Sequence, residues 1–381
     1  MSSADCGFQV LFWFSLAALA YTFLGYPLLI GLLAKISGRP LRKFAPVHPP
    51  TVTVVLIAFN EEARIIPRVE NLFATNHPAE KLDVLVVTDG SEDDTLAKLR
   101  AFPDPRLRVL ARTQRSGKSA CLNAAIPATT AEIVVLCDAR QRFAPHTISE
   151  LVSNFSDPSL GAVSGSLEID SAATGVGGGV DLYWRLEKFI RSSEGLFRST
   201  IGATGAVYAI RRELFQPIPN DTILDDVVIP MQIAVNHGKR VSFDPSAPAY
   251  DPQTTDPAKE KRRKMRTLAG NFQMLAQHPA WLLPWRTGLW WQLLSHKYSR
   301  IVAPVFMVTM FASNAALAGR PLYLELFIAH VAFYALALLG LAQPTLRWKP
   351  ISVPAGFVFL NLMTVGGCVN WLRGAYRQGK W

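Results

Sequence analysis

Charge is scarce in this chain. Only 18% of its 381 residues are Asp, Glu, Lys or Arg, half are hydrophobic, and the mean hydropathy is positive at +0.19. Soluble domains carry about 25% charged residues, so an ordinary soluble enzyme does not fit. The deficit is uneven. Phe8 to Ala34 contains no charged residue at all, and a run longer than about 20 apolar residues is long enough to cross a bilayer. A cleaved signal peptide is disfavoured, because its apolar region runs only about 7–15 residues, and no basic segment precedes this run.

Cysteine is sparse too. Cys6, Cys121, Cys137 and Cys368 are scattered, with no Cys-x-x-Cys pair, so neither a zinc ribbon nor a disulfide framework is encoded. Cys121 and Cys137 lie in apolar surroundings and read as small buried thiols of a reducing compartment. The net charge of +10 would suit nucleic acid, anionic lipid or a phosphorylated substrate. The basic residues flank apolar segments, and no helix-turn-helix, finger or RNA-recognition signature appears, so nucleic acid is set aside. Two phosphate-loop patterns are also missing. Arg115-Ser-Gly-Lys-Ser119 has arginine at 112 where a P-loop needs glycine, and Gly175-Val-Gly-Gly-Gly-Val180 lacks the third glycine of a dinucleotide fingerprint and reads as a flexible loop.

What is present falls into three zones. Residues 1–46 read as an N-terminal transmembrane anchor. Lys35, Arg39, Arg42 and Lys43 follow its apolar run, which places the next segment in the cytoplasm by the positive-inside rule. Residues 47–280 have the texture of an α/β domain. Thr51–Ala58, Leu82–Thr88 and Glu132–Cys137 are β-branched runs that read as buried strands, with helices expected over Glu61–Asn76 and Asp93–Ala101. Alternating strands and helices imply a mostly parallel, Rossmann-like sheet with ligands beyond the carboxyl ends of the strands. Residues 281–381 carry four tryptophans within Trp281–Trp291, expected as an interfacial helix. Three further candidate spans follow at Ile301–Gly319, Leu326–Leu346 and Ile351–Leu372. One anchor plus three spans would leave Arg373, Arg377 and Lys380 outside, against the positive-inside rule.

The strand ends carry the polar residues. Ala58-Phe-Asn60-Glu61 follows the first strand, Thr88-Asp89-Gly90-Ser the second, and Asp138-Ala-Arg140 the third. Asp and Asn there can reach base and ribose edges, although turns alone also favour them. Taken with Arg115-Ser-Gly-Lys118, Leu122-Asn123, Gly202-Ala203-Thr204-Gly205 and Leu224-Asp225-Asp226, in that order, the set resembles family 2 glycosyltransferases of the GT-A fold over residues 50–295. The flanking spans are similar to those of bacterial exopolysaccharide, poly-N-acetylglucosamine, hyaluronan and cellulose synthases.

That resemblance implies a GT-A catalytic domain flanked by transmembrane helices in a multi-pass protein of a bacterial inner membrane. It implies a nucleotide-sugar donor, a UDP-sugar foremost, and a glycan or lipid-linked acceptor in polysaccharide biosynthesis, with homo-oligomers or assembly partners open. Ala58, Asn60, Glu61, Thr88, Asp89, Lys118, Asp138, Arg140, Arg263 and Arg266 would line the donor site. Thr88 or Asp89 would contact the base, and Arg266 the phosphate. Ala203, Thr204 and Gly205 would line the acceptor pocket, and Asp226, beside Asp225, would be the general base of an inverting transfer.

Three departures stand out. Thr88 replaces a carboxylate. Arg140 replaces the second Asp of the family's Asp-x-Asp, so either Mg²⁺ or Mn²⁺ is held through Asp138 with the donor phosphates, or Arg140 itself takes phosphate charge. In Arg263-x-x-Arg266-Thr267 the usual Gln and Trp are absent, which favours limited over processive transfer. A processive synthase and a catalytically impaired scaffold of the same fold are the rival readings.

Overall fold

The computed structural model describes residues 3–44, 48–169, 178–251, 257–343, 345–346 and 348–374. Three glycine-run positions, Gly175 to Gly177, and the basic residues Arg377 and Lys380 lie outside them.

Two apolar helices open the chain, α1 (Ser3–Ala20) and α2 (Tyr26–Ser37), joined by a π-helical turn at Tyr21–Gly25 into one continuous rod. The domain that follows alternates strands and helices. It contains β1 (Val52–Ala58), α3 (Ile65–Phe73), β2 (Leu82–Asp89), α4 (Thr95–Arg100), β3 (Leu107–Arg112), α5 (Lys118–Ala125), β4 (Ile133–Cys137) and β5 (Arg142–Phe143). It continues with α6 (Thr147–Ser153), β6 (Leu160–Ile169), α7 (Gly178–Phe197), β7 (Val207–Arg211), α8 (Asp225–His237), β8 (Arg240–Asp251) and α9 (Pro257–Gln277). The strands form one mixed sheet in the order β3-β2-β1-β4-β7-β6-β8-β5. Its first four are mutually parallel, β7 runs antiparallel to β4 and β6, and β8 is parallel to β6.

The strand period of two explains the double-sided burial. Val55, Ile57, Leu85, Val87, Val134 and Leu136 point to one face, against α5 and α8. Val54, Leu56, Val84, Val86, Val135 and Cys137 point to the other, against α3 and α6. Both faces are covered, so these strands read as unbroken apolar runs. Cys121 and Cys137 are buried free thiols, as expected.

The helices start later than the sequence pattern suggests. Glu61–Arg64 and Asp93–Asp94 are drawn into the loops at the strand ends: the Glu61 N–H donates to Thr95 Oγ1 at 2.8 Å and the Glu62 N–H to Asp93 Oδ2 at 3.1 Å. The glycine run is not all loop, since α7 begins at Gly178.

The tryptophan-rich stretch is not one interfacial helix. It holds a 3₁₀ turn at Pro279–Leu282 and a connecting loop before α10 (Trp290–Gln292). Trp281 stacks on His278, centroids 4.1 Å apart, and joins the domain core. A π-helical turn at Leu293–Tyr298 continues α10 into α11 (Ser299–Ala316), and α12 (Pro321–Ala342) and α13 (Lys349–Leu372) follow. Among the described residues, four helical segments are long and apolar enough to cross a membrane: Ala4–Ser37, Trp290–Ala316, Pro321–Ala342 and Lys349–Leu372.

The last of these corrects the expected separation of Arg373 from the α/β domain. A Cβ on Gly366 would sit 2.5 Å from Met265 Cε, one on Gly367 2.6 Å from Leu268 Cβ, and Trp371 stacks on Phe272. Glycine permits this close approach of two helices, so the end of α13 is docked on α9.

Candidate active site

The loops after β1 and β2 are laced together. Asn60 takes a left-handed backbone, φ 53°, which Asn tolerates better than most residues. Its Oδ1 accepts the Glu92 N–H at 2.9 Å, and its own N–H donates to Ser91 Oγ at 3.2 Å. Gly90 is required on two counts: its φ is +69°, and a Cβ there would lie 2.8 Å from the Arg115 nitrogen. That close approach lets Asp89 reach under the next loop.

Asp89 is fully buried and accepts from the Ser116 N–H at 2.7 Å, the Ser116 hydroxyl at 2.8 Å and the Gly117 N–H at 2.8 Å. Burial alone would raise its pKa; these donors outweigh it and hold the carboxyl below its ordinary value. Thr88 is also buried. Both residues therefore sit beneath the site, and Asp89 fixes the turn that carries Lys118. Arg115 lies over the Phe59 ring, 3.8 Å from its centroid.

Three elements converge on Lys118. Its ammonium lies 2.9 Å from Asp138 Oδ1 at the end of β4 and 3.2 Å from Asp225 Oδ2 at the start of α8. Burial works against the cation, but Asp138, Asp225 and Asp226 together raise its pKa. Asp225 responds oppositely. Burial, with the Asp226 and Asp138 charges, pushes it up to about 6 against the pull of Lys118.

Asp226 is not a helix cap. No side chain caps α8, and Asp226 Oδ2 instead accepts the Gly205 N–H from a separate loop at 2.9 Å. The Ala203 N–H donates to the Asp226 carbonyl at 2.7 Å, and the Thr204 N–H to Ser164 Oγ at 3.1 Å. A Cβ at Gly205 would sit 3.3 Å from Asp226 Oδ2, so glycine leaves room for this contact. Tyr208, fully buried, lies within the field of Asp225, Asp226 and Asp138; burial first and those charges second raise its pKa.

A second charged group lies beside Asp138. Arg140 Nη2 is 2.5 Å from Asp251 Oδ2, Gln141 Nε2 donates to the same oxygen at 3.3 Å, and Arg263 Nη1 approaches it at 3.7 Å. The β5–β8 pairing, which sets Arg142 against Tyr250, brings this distant aspartate into place. Glu61 belongs to the same neighbourhood: burial raises its pKa, against the pull of Arg64 and Arg140. Arg266 lies within electrostatic reach of Arg115.

The strand ends gather one charged group. Carboxylates and amides ring the strand ends, with cations at Lys118, Arg140, Arg115, Arg263 and Arg266. A sequence model described as glycosyl transferase family 2 matches residues 53–218. An N-acetylglucosaminyltransferase of Bradyrhizobium elkanii is 32% identical over 126 residues, 32% of this chain and 69% of that protein. The chain belongs to glycosyltransferase family 2.

A beta-monoglucosyldiacylglycerol synthase of Trichormus variabilis is 34% identical over 119 residues, 30% of this chain and only 25% of that relative's length. The solved mannosyltransferase of Pyrobaculum calidifontis, in complex with GDP-Man and Mn²⁺, superposes with a TM-score of 0.71 at 25% identity, covering 95% of this chain and 99% of that one. The mixed, mostly parallel sheet with flanking apolar helices is the GT-A architecture.

Within that family fold, Ala58, Asn60, Glu61, Asp138 and Arg140 stand at the strand ends, with Thr88 and Asp89 buried below them. Asp225, Asp226 and Ala203–Gly205 form one adjoining group. Arg263 and Arg266 come from α9. Sequence reasoning missed Asp251 and Tyr208, which reach the site only through long-range strand pairing.

The donor set for a metal is thin. Among the described residues no three His, Cys, Asp or Glu side chains cluster as a metal site. Asp138 has one oxygen engaged by Lys118, while its side chain is 39% exposed. Mg²⁺ is six-coordinate and readily takes its remaining oxygens from substrate phosphates and water, so Asp138 fits a metal that arrives with the donor.

Proposed function

We propose that this protein transfers a sugar from a nucleoside-diphosphate sugar, a UDP-sugar in the first instance, to a membrane-associated glycan or lipid-linked acceptor, with inversion at the anomeric carbon. The observation that carries this reading is Asp226: a carboxylate held by the Gly205 N–H at 2.9 Å, beside the Lys118–Asp225–Asp138 group.

In the proposed step Asp226 takes the proton of the acceptor hydroxyl. That oxygen bonds to the anomeric carbon as the bond from that carbon to the diphosphate oxygen breaks, and the nucleoside diphosphate leaves. Lys118, Arg115 and Arg266 receive the departing charge, work that preorganised cations do without reorganising. Arg140 and Arg263, tethered by Asp251, hold the donor from the far side. A divalent metal bound through Asp138 would add neutralisation of the diphosphate. Asp89 acts from below by holding the Ser116–Gly117 turn, and Ala203–Gly205 admit the acceptor.

We infer that the α/β domain lies on the cytoplasmic side. Lys35, Arg39, Arg42 and Lys43 follow the first span, and the Arg373 end of α13 is docked on α9, which supports that side. Thr267, in place of a stacking tryptophan, favours limited addition over processive synthesis. Donor-dependent nucleotide release, compared between the wild type and Asp226→Asn, tests the reading.

A further inference from the structure

The chain leaves its first candidate span into a basic cavity. Gly38 directly follows the apolar rod Ala4–Ser37, and Gly38, Arg39 and Arg42 line one side of a cavity of about 460 Å³. Ser156, Asp157 and Arg240 line the other, at the turn before β6 and the first residue of β8. None of these residues takes part in the proposed transfer. Asp251 ends the strand that Arg240 begins, and its twelve residues set the two roughly 35 Å apart along the chain.

Hydrogen bonds hold the rim of the cavity in shape. The Arg39 N–H donates to the Leu196 carbonyl at 2.7 Å, and the Ser156 hydroxyl to the Arg42 carbonyl at 3.2 Å. The Arg240 side chain, only 12% exposed, donates from Nε to the Arg198 carbonyl at 3.1 Å. Its Nη2 donates to the carbonyls of Gly195 at 3.0 Å and Arg39 at 3.2 Å. Nη1 is left over, with Asp157 Oδ2 at 3.7 Å, beyond hydrogen-bond reach.

Charge is not balanced around this cavity. Burial raises the Asp157 pKa, but the Ser159 donors and the charges of Arg240 and Arg42 hold it below its ordinary value, so the group is ionised. Three lining arginines against one carboxylate leave a surplus of two positive charges. The Arg39 and Arg42 side chains are exposed and make no hydrogen bond or ion pair among the described residues. For Arg240, burial first and then the Arg39 charge lower the pKa, against the pull of Asp157. Crowded guanidiniums are unfavourable until an anion joins them. Phosphate suits them best, because its oxygens accept their N–H groups in pairs.

We propose that this cavity binds a phosphate group, supplied by the headgroup of an anionic phospholipid at the end of the first span. Arg39 and Arg42 meet the phosphate oxygens from outside, and Arg240 Nη1 meets them from within. Basic groups that follow a span directly face anionic headgroups. Ile36 and Phe44, exposed apolar side chains before and after the loop, suit the edge of the acyl layer. A lipid held there ties Arg240, and through its hydrogen bonds the last turn of α7, to the bilayer. The site stands whatever sugar the protein transfers.

The test uses the full chain in detergent, titrated separately with short-chain phosphatidylglycerol, the matching diacylglycerol and inorganic phosphate. Protection of segments 38–44 and 156–160 from hydrogen exchange is read by mass spectrometry. Phosphatidylglycerol should protect both segments and diacylglycerol neither. Its midpoint should lie at least ~10-fold below that of inorganic phosphate; equal midpoints overturn the lipid source and leave a soluble phosphate as the ligand. In Arg39→Gln/Arg42→Gln the midpoint should rise at least ~10-fold, the scale of one lost charge-assisted hydrogen bond. Arg42→Gln alone should shift it in the same direction, and Arg39→Lys/Arg42→Lys should restore most of the binding. Lack of protection by both phosphate ligands, equal protection by diacylglycerol, or an unshifted midpoint in the glutamine variants overturns the site.

Discussion

Arg140 and Asp251, 111 residues apart in sequence, meet at 2.5 Å, and Arg263 shares the same carboxylate oxygen at 3.7 Å. Arg140, just beyond β4, is a cation with its own buried counter-ion. One carboxylate oxygen thus holds two guanidiniums.

Asp251→Asn removes the negative charge that orients both arginines. A hydrogen bond to a charged group contributes about 1.5–3 kcal/mol, so the donor KM should rise roughly 10-fold or more, with a smaller change in kcat. Steady-state kinetics at varied donor concentration check this. An unchanged KM would show that the pair has no part in donor binding.

Metal binding should be conditional on the donor. Asp138 alone is a poor site, so Mn²⁺ without nucleotide should leave the melting temperature unchanged. UDP with Mn²⁺ should raise it above UDP alone, and EDTA should lower turnover. Thermal shift assays in detergent separate these cases, and stabilisation by Mn²⁺ alone would reveal a resident site.

Asp225 gives a pH dependence with a defined sign. Its pKa is pushed up to about 6 by burial and by the neighbouring carboxylates, above the ordinary aspartate value near 3.9. The folded state therefore holds a proton that the unfolded chain releases. That contribution to stability is fully present below about pH 4 and is lost as pH rises through about 6. Asp225→Asn should remove this fall, seen as a flatter melting temperature between pH 4 and 7. A variant with the same slope as wild type would place the titration elsewhere.

The parts of the fold that could be read from sequence were the locally encoded ones. Val52–Ala58, Leu82–Asp89 and Ile133–Cys137 are β-branched and buried on both faces, so each strand announces itself, and the polar residues at its end follow. The helix starts at Ile65 and Thr95 were misjudged because Glu61, Glu62 and Asp93 bond across loops, a choice made by tertiary contacts. Trp281 looked interfacial because tryptophan suits both a headgroup layer and a core; only its stacking on His278 distinguishes them. Asp251 and Tyr208 were invisible for one shared reason. Each reaches the site through long-range pairing or helix packing, and nothing local marks it.

The most direct test of the proposed function compares wild type and Asp226→Asn. Purified protein would be given a panel of UDP- and GDP-sugars with Mn²⁺ and an acceptor-containing membrane extract, while nucleotide release and donor binding are followed. The wild type should release nucleotide from one donor class. Asp226→Asn should bind that donor with similar affinity while turnover falls by ~100-fold or more, the scale of a lost general base. Near-normal turnover in Asp226→Asn, or a wild type silent across the whole panel, would contradict the assignment.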